Sequence, residues 1–255
     1  MNYELRMSGV CGMKELQRLL SKMRRACEHY EMIRDGEKIA VGVSGGKDSL
    51  ALLLALTKMR EFYPVRYEVV AISVDLGFDG SDGLFDGVAE YCRALGVEYR
   101  VEQTEIARIV FDERREKNPC SLCAMMRRGA LVNAAKDMGA TAIALGHHLD
   151  DAAETFMLSL TNEGRIGCFM PVTVYADTGI NVIRPMIYAR EFEVASVARA
   201  ENLPVIKSPC TEDGETEREK IKEYLRTLDR EHRGVHTRII GAMERAGIDG
   251  WREKK

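Results

Sequence analysis

Apolar positions along the chain recur at a helical period, then at a strand period, and the two periods alternate. Leu16, Leu19, Leu20, Met23 and Cys27 share one face of a predicted amphipathic helix over 12–30, and Lys22, Arg24 and Arg25 lie on its exposed face. That pattern breaks at Asp35-Gly36. Residues 38–44 then read as a buried strand, 44–49 as a tight turn, and 50–62 as a helix apolar almost all round. The alternation predicts further strands at 67–75, 97–103 and 141–146, and helices at 83–95, 105–115 and 150–160, with another helix running from just after Cys123 to Met138. Segments 171–175 and 181–184 flank Ala-Asp-Thr-Gly as a hairpin. Helices are predicted at 190–202, 215–230 and 235–246, with a short strand at 203–207 between the first two. This order predicts an α/β fold: a Rossmann-like parallel sheet with helices on both faces and a site at the carboxyl ends of its strands. We expect one domain over 1–255, made of an N-terminal helix over 12–30, an α/β core over 37–210 and C-terminal helices over 215–247.

Composition narrows the class. With 255 residues, 45% apolar and 30% charged, the chain can bury a sizeable core, which excludes disordered and collagen-like architectures. No apolar run approaches the roughly 18 residues of a membrane span, and the first twenty residues lack a signal-peptide core, so a cytoplasmic protein with no membrane partner is expected. In that compartment seven cysteines, an odd count, point to reduced thiols, metal ligands or catalytic groups rather than a disulfide framework. The formal net charge of −3 argues against a uniformly basic coat, so a nucleic-acid partner would meet local patches. Two segments qualify. Residues 114–128 carry five basic side chains against Glu116, among them Arg114, Arg115 and Arg128; residues 218–238 carry seven basic and four acidic side chains.

Ser44-Gly45-Gly46-Lys47-Asp48-Ser49 lies between a predicted strand and a predicted helix, where backbone N–H groups and the helix dipole gather an anion. It is not the P-loop of kinases, because only three residues separate Gly42 from Gly46 and Asp48 follows the lysine. The turn resembles the PP-loop, Ser-Gly-Gly-x-Asp-Ser, of the ATP pyrophosphatase superfamily, which has an adenine nucleotide α-hydrolase type of fold. That resemblance implies ATP as cosubstrate, adenylation of a carbonyl oxygen and release of pyrophosphate. Lys47 would then neutralise phosphate charge, Ser44, Ser49 and the N–H groups of Gly45 and Gly46 would hold pyrophosphate, and Asp48 would cap the helix or hold Mg²⁺. Asp75, ending a strand, is a candidate neighbour of adenine or ribose, or a solvated turn residue.

Cys120-Ser-Leu-Cys123 has the spacing of two ligands on one metal or cluster, and Arg127 and Arg128 follow one turn later. Structural zinc, a redox dithiol and an iron–sulfur cluster all remain open on that spacing alone. Cys11, Cys27, Cys92 and Cys168 read as small buried hydrophobes, whereas Cys210 falls in a turn after the predicted strand at 203–207. Together with Met32-Ile-Arg-Asp-Gly-Glu-Lys-Ile39, Ala144-Leu-Gly-His-His-Leu-Asp-Asp151, Ile183-Arg-Pro185 and Ser208-Pro-Cys210, these stretches resemble the tRNA 2-thiocytidine synthetase family from about Arg24 to Ala246. The resemblance implies a [4Fe–4S] cluster on Cys120, Cys123 and Cys210, with one iron left open to present sulfur. It also implies a tRNA substrate, a hydrosulfide or cysteine desulfurase-derived sulfur donor, and a homodimer. By the same resemblance Asp151 would hold Mg²⁺ or move a proton beside ATP, and Arg127 would stabilise the charged adenylate. His147 and His148 read as turn-shaping residues. The chain departs from the family pattern after the third cysteine, where Thr211-Glu212-Asp213-Gly214 replaces a second cysteine and glycine. Two alternatives stand beside this reading. One is a PP-loop ligase forming an amide or amidine, similar to lysidine synthetase, with structural zinc on the cysteines. The other is a redox-responsive metal-binding module that retains a degenerate nucleotide turn.

Overall fold

Helix α1 (Val10–His29) buries Leu19, Met23 and Cys27 completely, as its 3.6-residue apolar period requires. Strand β1 (Glu37–Gly42), helix α2 (Lys47–Met59), strand β2 (Tyr67–Asp75), helix α3 (Asp86–Ala94) and strand β3 (Glu98–Gln103) follow. A wide helical stretch, Arg108–Arg114, leads to α4 (Pro119–Asp137), β4 (Ala142–Ala144) and α5 (Leu149–Asn162). The chain ends with the hairpin β5 (Val172–Tyr175) and β6 (Ile180–Ile183), then α6 (Glu191–Ala200), α7 (Glu217–Glu231) and α8 (Val235–Ala246). The computed structural model describes residues 10–78, 80–81, 83–114, 119–175, 177–207, 209–210 and 217–253, with side chains from residue 13 onward. Cys11, Arg115, Ser208 and the Thr-Glu-Asp-Gly segment after Cys210 therefore lie outside the described side chains.

The six strands are ordered β3-β2-β1-β4-β6-β5, parallel throughout except that β5 runs antiparallel to β6. Both faces are covered, which is why the central strands carry apolar runs such as Ile39-Ala40-Val41 and Val69-Val70-Ala71-Ile72. Ile39 and Val41 of β1 face a large core shared with α1, α2, α6 and α8, while Ala40 faces a smaller one built with Val132, Ala134 and Ala135 of α4. Helix α2 is buried at ten of its thirteen residues, as its all-round apolar sequence predicts. Strand order reverses between β1 and β4. At such a switch point the loops leaving two adjacent carboxyl ends part and open a crevice. The loops concerned are 43–46 and 145–148.

Several expectations need correction. Residues 203–207 form no strand: Pro204 has no N–H to give a ladder, and the segment is held instead by Leu203 N–H to the Ala198 carbonyl at 3.0 Å and Ile206 N–H to the Gly45 carbonyl at 2.9 Å. Cys120 and Cys123 lie inside α4 rather than before it, because Pro119 occupies the first helical turn, where its missing N–H costs nothing. Arg127 consequently sits two turns into α4, not at its start. Residues 108–114 wind more widely than the α-helix expected over 105–115. Among the described residues no helix is long and apolar enough to cross a membrane.

Candidate active site

Gly45 turns the chain at φ +83°, a conformation open to glycine, and a Cβ there would lie 2.8 Å from Ile206 Cδ1. Gly146 lets the second loop press on the first, since a Cβ there would lie 3.1 Å from the Asp48 carbonyl carbon and the Ser49 nitrogen. The cap position of α2 is Gly46 in extended backbone, with no side-chain cap. The N-terminal amides of α2 therefore keep their capacity for an anion. Of the two roles expected for Asp48, it does not take the cap; it lies in the first turn and accepts from Lys47 Nζ at 3.0 Å through Oδ2, while its buried Oδ1 accepts no hydrogen bond among the described residues and lies 3.9 Å from His148 Nε2. Ser49 Oγ donates to the Gly46 carbonyl at 2.9 Å and lies 3.3 Å from Ser44 Oγ. Lys47 also donates to Glu191 Oε1 at 3.3 Å, and Lys222 donates to the same oxygen at 3.0 Å. Burial works against the Lys47 ammonium, but Asp48 and Glu191 outweigh it and hold its pKa above the ordinary value. Burial likewise pushes the Glu191 carboxyl up, yet Lys222 and Lys47 together bring it down to about 2.

The second loop opens α5 with a capping box. His148 N–H donates to Asp151 Oδ2 at 2.9 Å, and Asp151 N–H donates to His148 Nδ1 at 3.3 Å. The other Asp151 oxygen meets Arg218 of α7 at 3.4 Å, and Arg218 also donates to Thr155 Oγ1 at 3.0 Å. Asp150, which is buried, serves α6 instead: its carboxylate accepts from Glu191 N–H at 2.6 Å and from Arg190 Nε at 3.0 Å. Behind Asp151, burial pushes Glu154 up to about 7, with the Asp151 charge adding to the effect. Burial and then Arg184 push the His147 imidazole down to about 4, and its Nδ1 is a second buried atom without a partner. Arg184, just past β6, donates to the Met170 carbonyl at 2.6 Å and stacks over Phe169, leaving its Nε unpartnered. Asp75 is buried at the end of β2 and shapes the next turn by accepting from Gly77 N–H at 2.9 Å and Ser81 Oγ at 3.5 Å.

Helix α4 carries the cysteine pair outward. Leu131 lies against Gly42 and Leu145, level with the ends of β1 and β4. At 1.5 Å per residue, Cys123 and Cys120 then lie about 12 and 16 Å from Leu131 along the helix axis, toward the N-terminus of α4. Cys210 is four residues from Ile206, which is bonded to the phosphate turn, so it lies within about 14 Å of that turn. Burial pushes the half-buried Cys123 thiol up; Arg127 opposes this, and the charges of Cys210 and Cys120 reinforce it. The three cysteines thus share one local field although 87 residues separate Cys123 from Cys210. Three cysteine sulfurs with one arginine beside them are a donor set that suits an iron–sulfur cluster. Among the described residues no three His, Cys, Asp or Glu side chains converge as they would on one small metal ion. Cys27 and Cys92 are fully buried, and burial pushes the half-buried Cys168 thiol up to about 12, as befits small hydrophobes.

The structure joins Lys47, Asp48 and the two serines into one cluster and sets Asp151 on the neighbouring loop. It does not pair Asp151 with Arg127. The cation on Asp151 is Arg218, and Arg127 faces Cys123. Arg114 and Arg128 are exposed, and Arg128 lies close enough to Arg184 to lower its pKa further once burial has acted. Sequence reasoning missed Glu191, Lys222, Arg190 and Arg218, all brought in by long-range packing.

A phosphate turn of this kind at the switch point of such a sheet defines a nucleotide-binding protein of the PP-loop class. The PP-loop domain family matches residues 14–228. The tRNA-cytidine(32) 2-sulfurtransferase of Citrifermentans bemidjiense is 36% identical over 230 residues, covering 89% of this chain and 89% of that protein. Its counterpart in Shewanella pealeana is 38% identical over 250 residues, covering 96% and 79%. Among solved structures, the U34-tRNA thiolase NcsA from Methanococcus maripaludis with its [4Fe–4S] cluster superposes with a TM-score of 0.77 at 26% identity, over 96% of this chain and 83% of that one. The chain belongs to the PP-loop family and, within it, to the family of the tRNA-cytidine(32) 2-sulfurtransferases.

Proposed function

We propose that this chain, folded as a single PP-loop domain, uses ATP to replace the C2 oxygen of cytidine 32 in tRNA with sulfur. The observation that carries the reading is the phosphate turn at the β1/β4 switch point, where the first turn of α2 has no side-chain cap; Cys123, which feels the charges of Cys120 and Cys210, supports it. In the first step the cytidine O2 attacks the α-phosphorus of ATP and pyrophosphate leaves; in the second, sulfide forms the C2–S bond and AMP departs with the original oxygen. With hydrosulfide the exchange is redox-neutral; sulfane sulfur from a cysteine desulfurase enters once a thiol reductant has supplied two electrons and released it as sulfide. Lys47 neutralises the phosphates once it exchanges Glu191 for ATP, and the amides of Gly45 and Gly46 with Ser44 and Ser49 hold the departing pyrophosphate. The unpartnered Asp48 Oδ1 fits Mg²⁺ held mainly by ATP oxygens, since Mg²⁺ takes one or two carboxylates and keeps the phosphates. Asp151 moves the proton at the reacting base, and Arg127 stabilises charge on the cysteine side. Cys120, Cys123 and Cys210 would hold a [4Fe–4S] cluster, which supplies sulfur through an iron that lacks a protein ligand. Arg114, Arg115 and Arg128 contact the tRNA, and the active form is a homodimer.

The test is nucleotide analysis of the reconstituted enzyme with unmodified tRNA and sulfide. Formation of AMP and pyrophosphate in step with thiolated cytidine is expected, and both should vanish in Lys47→Ala. ADP as the product would place the enzyme in another class.

A further inference from the structure

Away from the cysteines, a cavity of about 710 Å³ opens between α6 and α7, floored by α5 and closed by the start of α8. Helical spacing builds it. Lys222, Arg226 and Arg230 lie at i, i+4 and i+8 on one face of α7, and Glu191, Ala195 and Arg199 do the same on α6. The small Ala195 between them leaves room for a groove. Six cations line it against four carboxylates, in a chain whose net charge is −3. Those carboxylates are largely spent inside the fold. Asp150 is taken by Arg190, Glu191 by Lys47 and Lys222, and Asp229 by the Gly234 and Val235 amides, while burial holds Glu154 near half protonation at neutral pH. Arg199, Arg226, Arg230 and Arg233 stay exposed, and among the described residues their ion pairs are with the solvent-exposed Glu223 alone, 3.6 Å from Arg226 and 3.9 Å from Arg230. Phe192 stands at the rim, 63% exposed and with the Arg190 guanidinium 5.8 Å from its ring centroid. The inner end abuts the phosphate turn, because Glu191 bridges Lys222 to Lys47.

We propose that this groove docks the RNA. Its exposed arginines would follow a run of phosphates, and Phe192 would stack on an unpaired base, so that the bound strand leads toward the phosphate turn. Evenly spaced cations with an exposed aromatic at the rim suit a nucleic-acid strand better than a compact anion, which would need its donors converged on one point. The assignment rests on the tRNA reading above, and the experiment separates the two.

Labelled tRNA is titrated by anisotropy against the cluster-loaded, full-length protein from about 50 to 200 mM salt. Three variants are compared with wild type: the groove triple R226E/R230E/R233E, the rim variant Phe192→Ala, and a control triple with the same charge change elsewhere, R18E/K58E/R93E. The groove triple should lose more than tenfold in affinity and flatten the slope of log K against log salt by about 2 to 3. Phe192→Ala should weaken binding about tenfold at every salt concentration with the slope unchanged. The control triple should keep the wild-type slope. If the groove triple should not fold, the rim variant and Arg199→Glu carry the same test. Equal tRNA binding by groove and control triples overturns the groove while leaving the tRNA reading intact. A matching loss of ATP affinity in the absence of RNA would assign the cavity to ATP and also overturn it. No tRNA binding by the wild-type protein would overturn the proposed function, and the groove with it.

Discussion

Replacing Asp150 by Asn isolates the contact that ties the start of α6 to α5. The Asp150 side chain is 9% exposed and accepts two hydrogen bonds, at 2.6 Å from the Glu191 amide and at 3.0 Å from the Arg190 guanidinium. Asparagine keeps the shape and one acceptor but turns an amide N–H₂ toward the second donor. A hydrogen bond to a charged group contributes about 1.5–3 kcal/mol, and stripping one partner from a buried ion pair costs about 3–5 kcal/mol. Arg190 retains Asp229 at 3.9 Å and His236 Nδ1 at 3.2 Å, which softens the loss. The expected cost is therefore about 2–3 kcal/mol, a fall in Tm of roughly 5–10 °C for a chain of this size. Urea unfolding of Asp150→Asn, Arg190→Met and the double variant measures it, with a coupling of at least about 1 kcal/mol expected. A loss under about 0.5 kcal/mol, or additive single changes, would refute the argument.

Gly45→Ala should lower ATP affinity more than tenfold by calorimetry, because it strains a positive φ and meets Ile206; Ile206→Ala in the same chain should recover part of the loss, and no recovery would show that the contact is immaterial. Glu154→Gln should stabilise the protein increasingly as pH rises. A carboxyl raised from 4.5 to about 7 in the folded state penalises folding progressively between those values and fully above 7, so the gain in Tm at pH 8 should exceed that at pH 5. A larger gain at pH 5 would reverse the sign and exclude burial as the cause. Cys210→Ala should abolish iron and labile sulfide retention after anaerobic reconstitution while Cys92→Ala keeps both, and equal retention would remove Cys210 from the ligand set.

What could be read in the sequence was local. The strand–turn–helix rhythm around Ser44–Ser49 and the all-apolar α2 gave the sheet, its edge and the phosphate turn, because each depends on neighbours a few residues away. The strand expected at 203–207 failed at Pro204, where apolar content misled and the lost N–H decided. Two adjacent aspartates, Asp150 and Asp151, open α5, and sequence does not tell their partners apart. Only packing shows that Asp151 completes the box with His148 whereas Asp150 crosses to α6. The Lys47–Glu191–Lys222 bridge and the Arg218–Asp151 pair join positions 31 to 144 residues apart, and no periodicity encodes such partners. One signal was available: the i, i+4, i+8 spacing of Lys222, Arg226 and Arg230 marks a single basic face on α7.

The central claim is tested most directly on the product. Position-mapped mass spectrometry of tRNA, from cells lacking this protein and from the same cells complemented with wild type or Cys123→Ala, reports whether the cytidine at position 32 gains sulfur. The account predicts 2-thiocytidine at that position with the wild-type gene alone, and none with the deletion or the cysteine variant. Unchanged 2-thiocytidine in the deletion strain, or full restoration by Cys123→Ala, would contradict it.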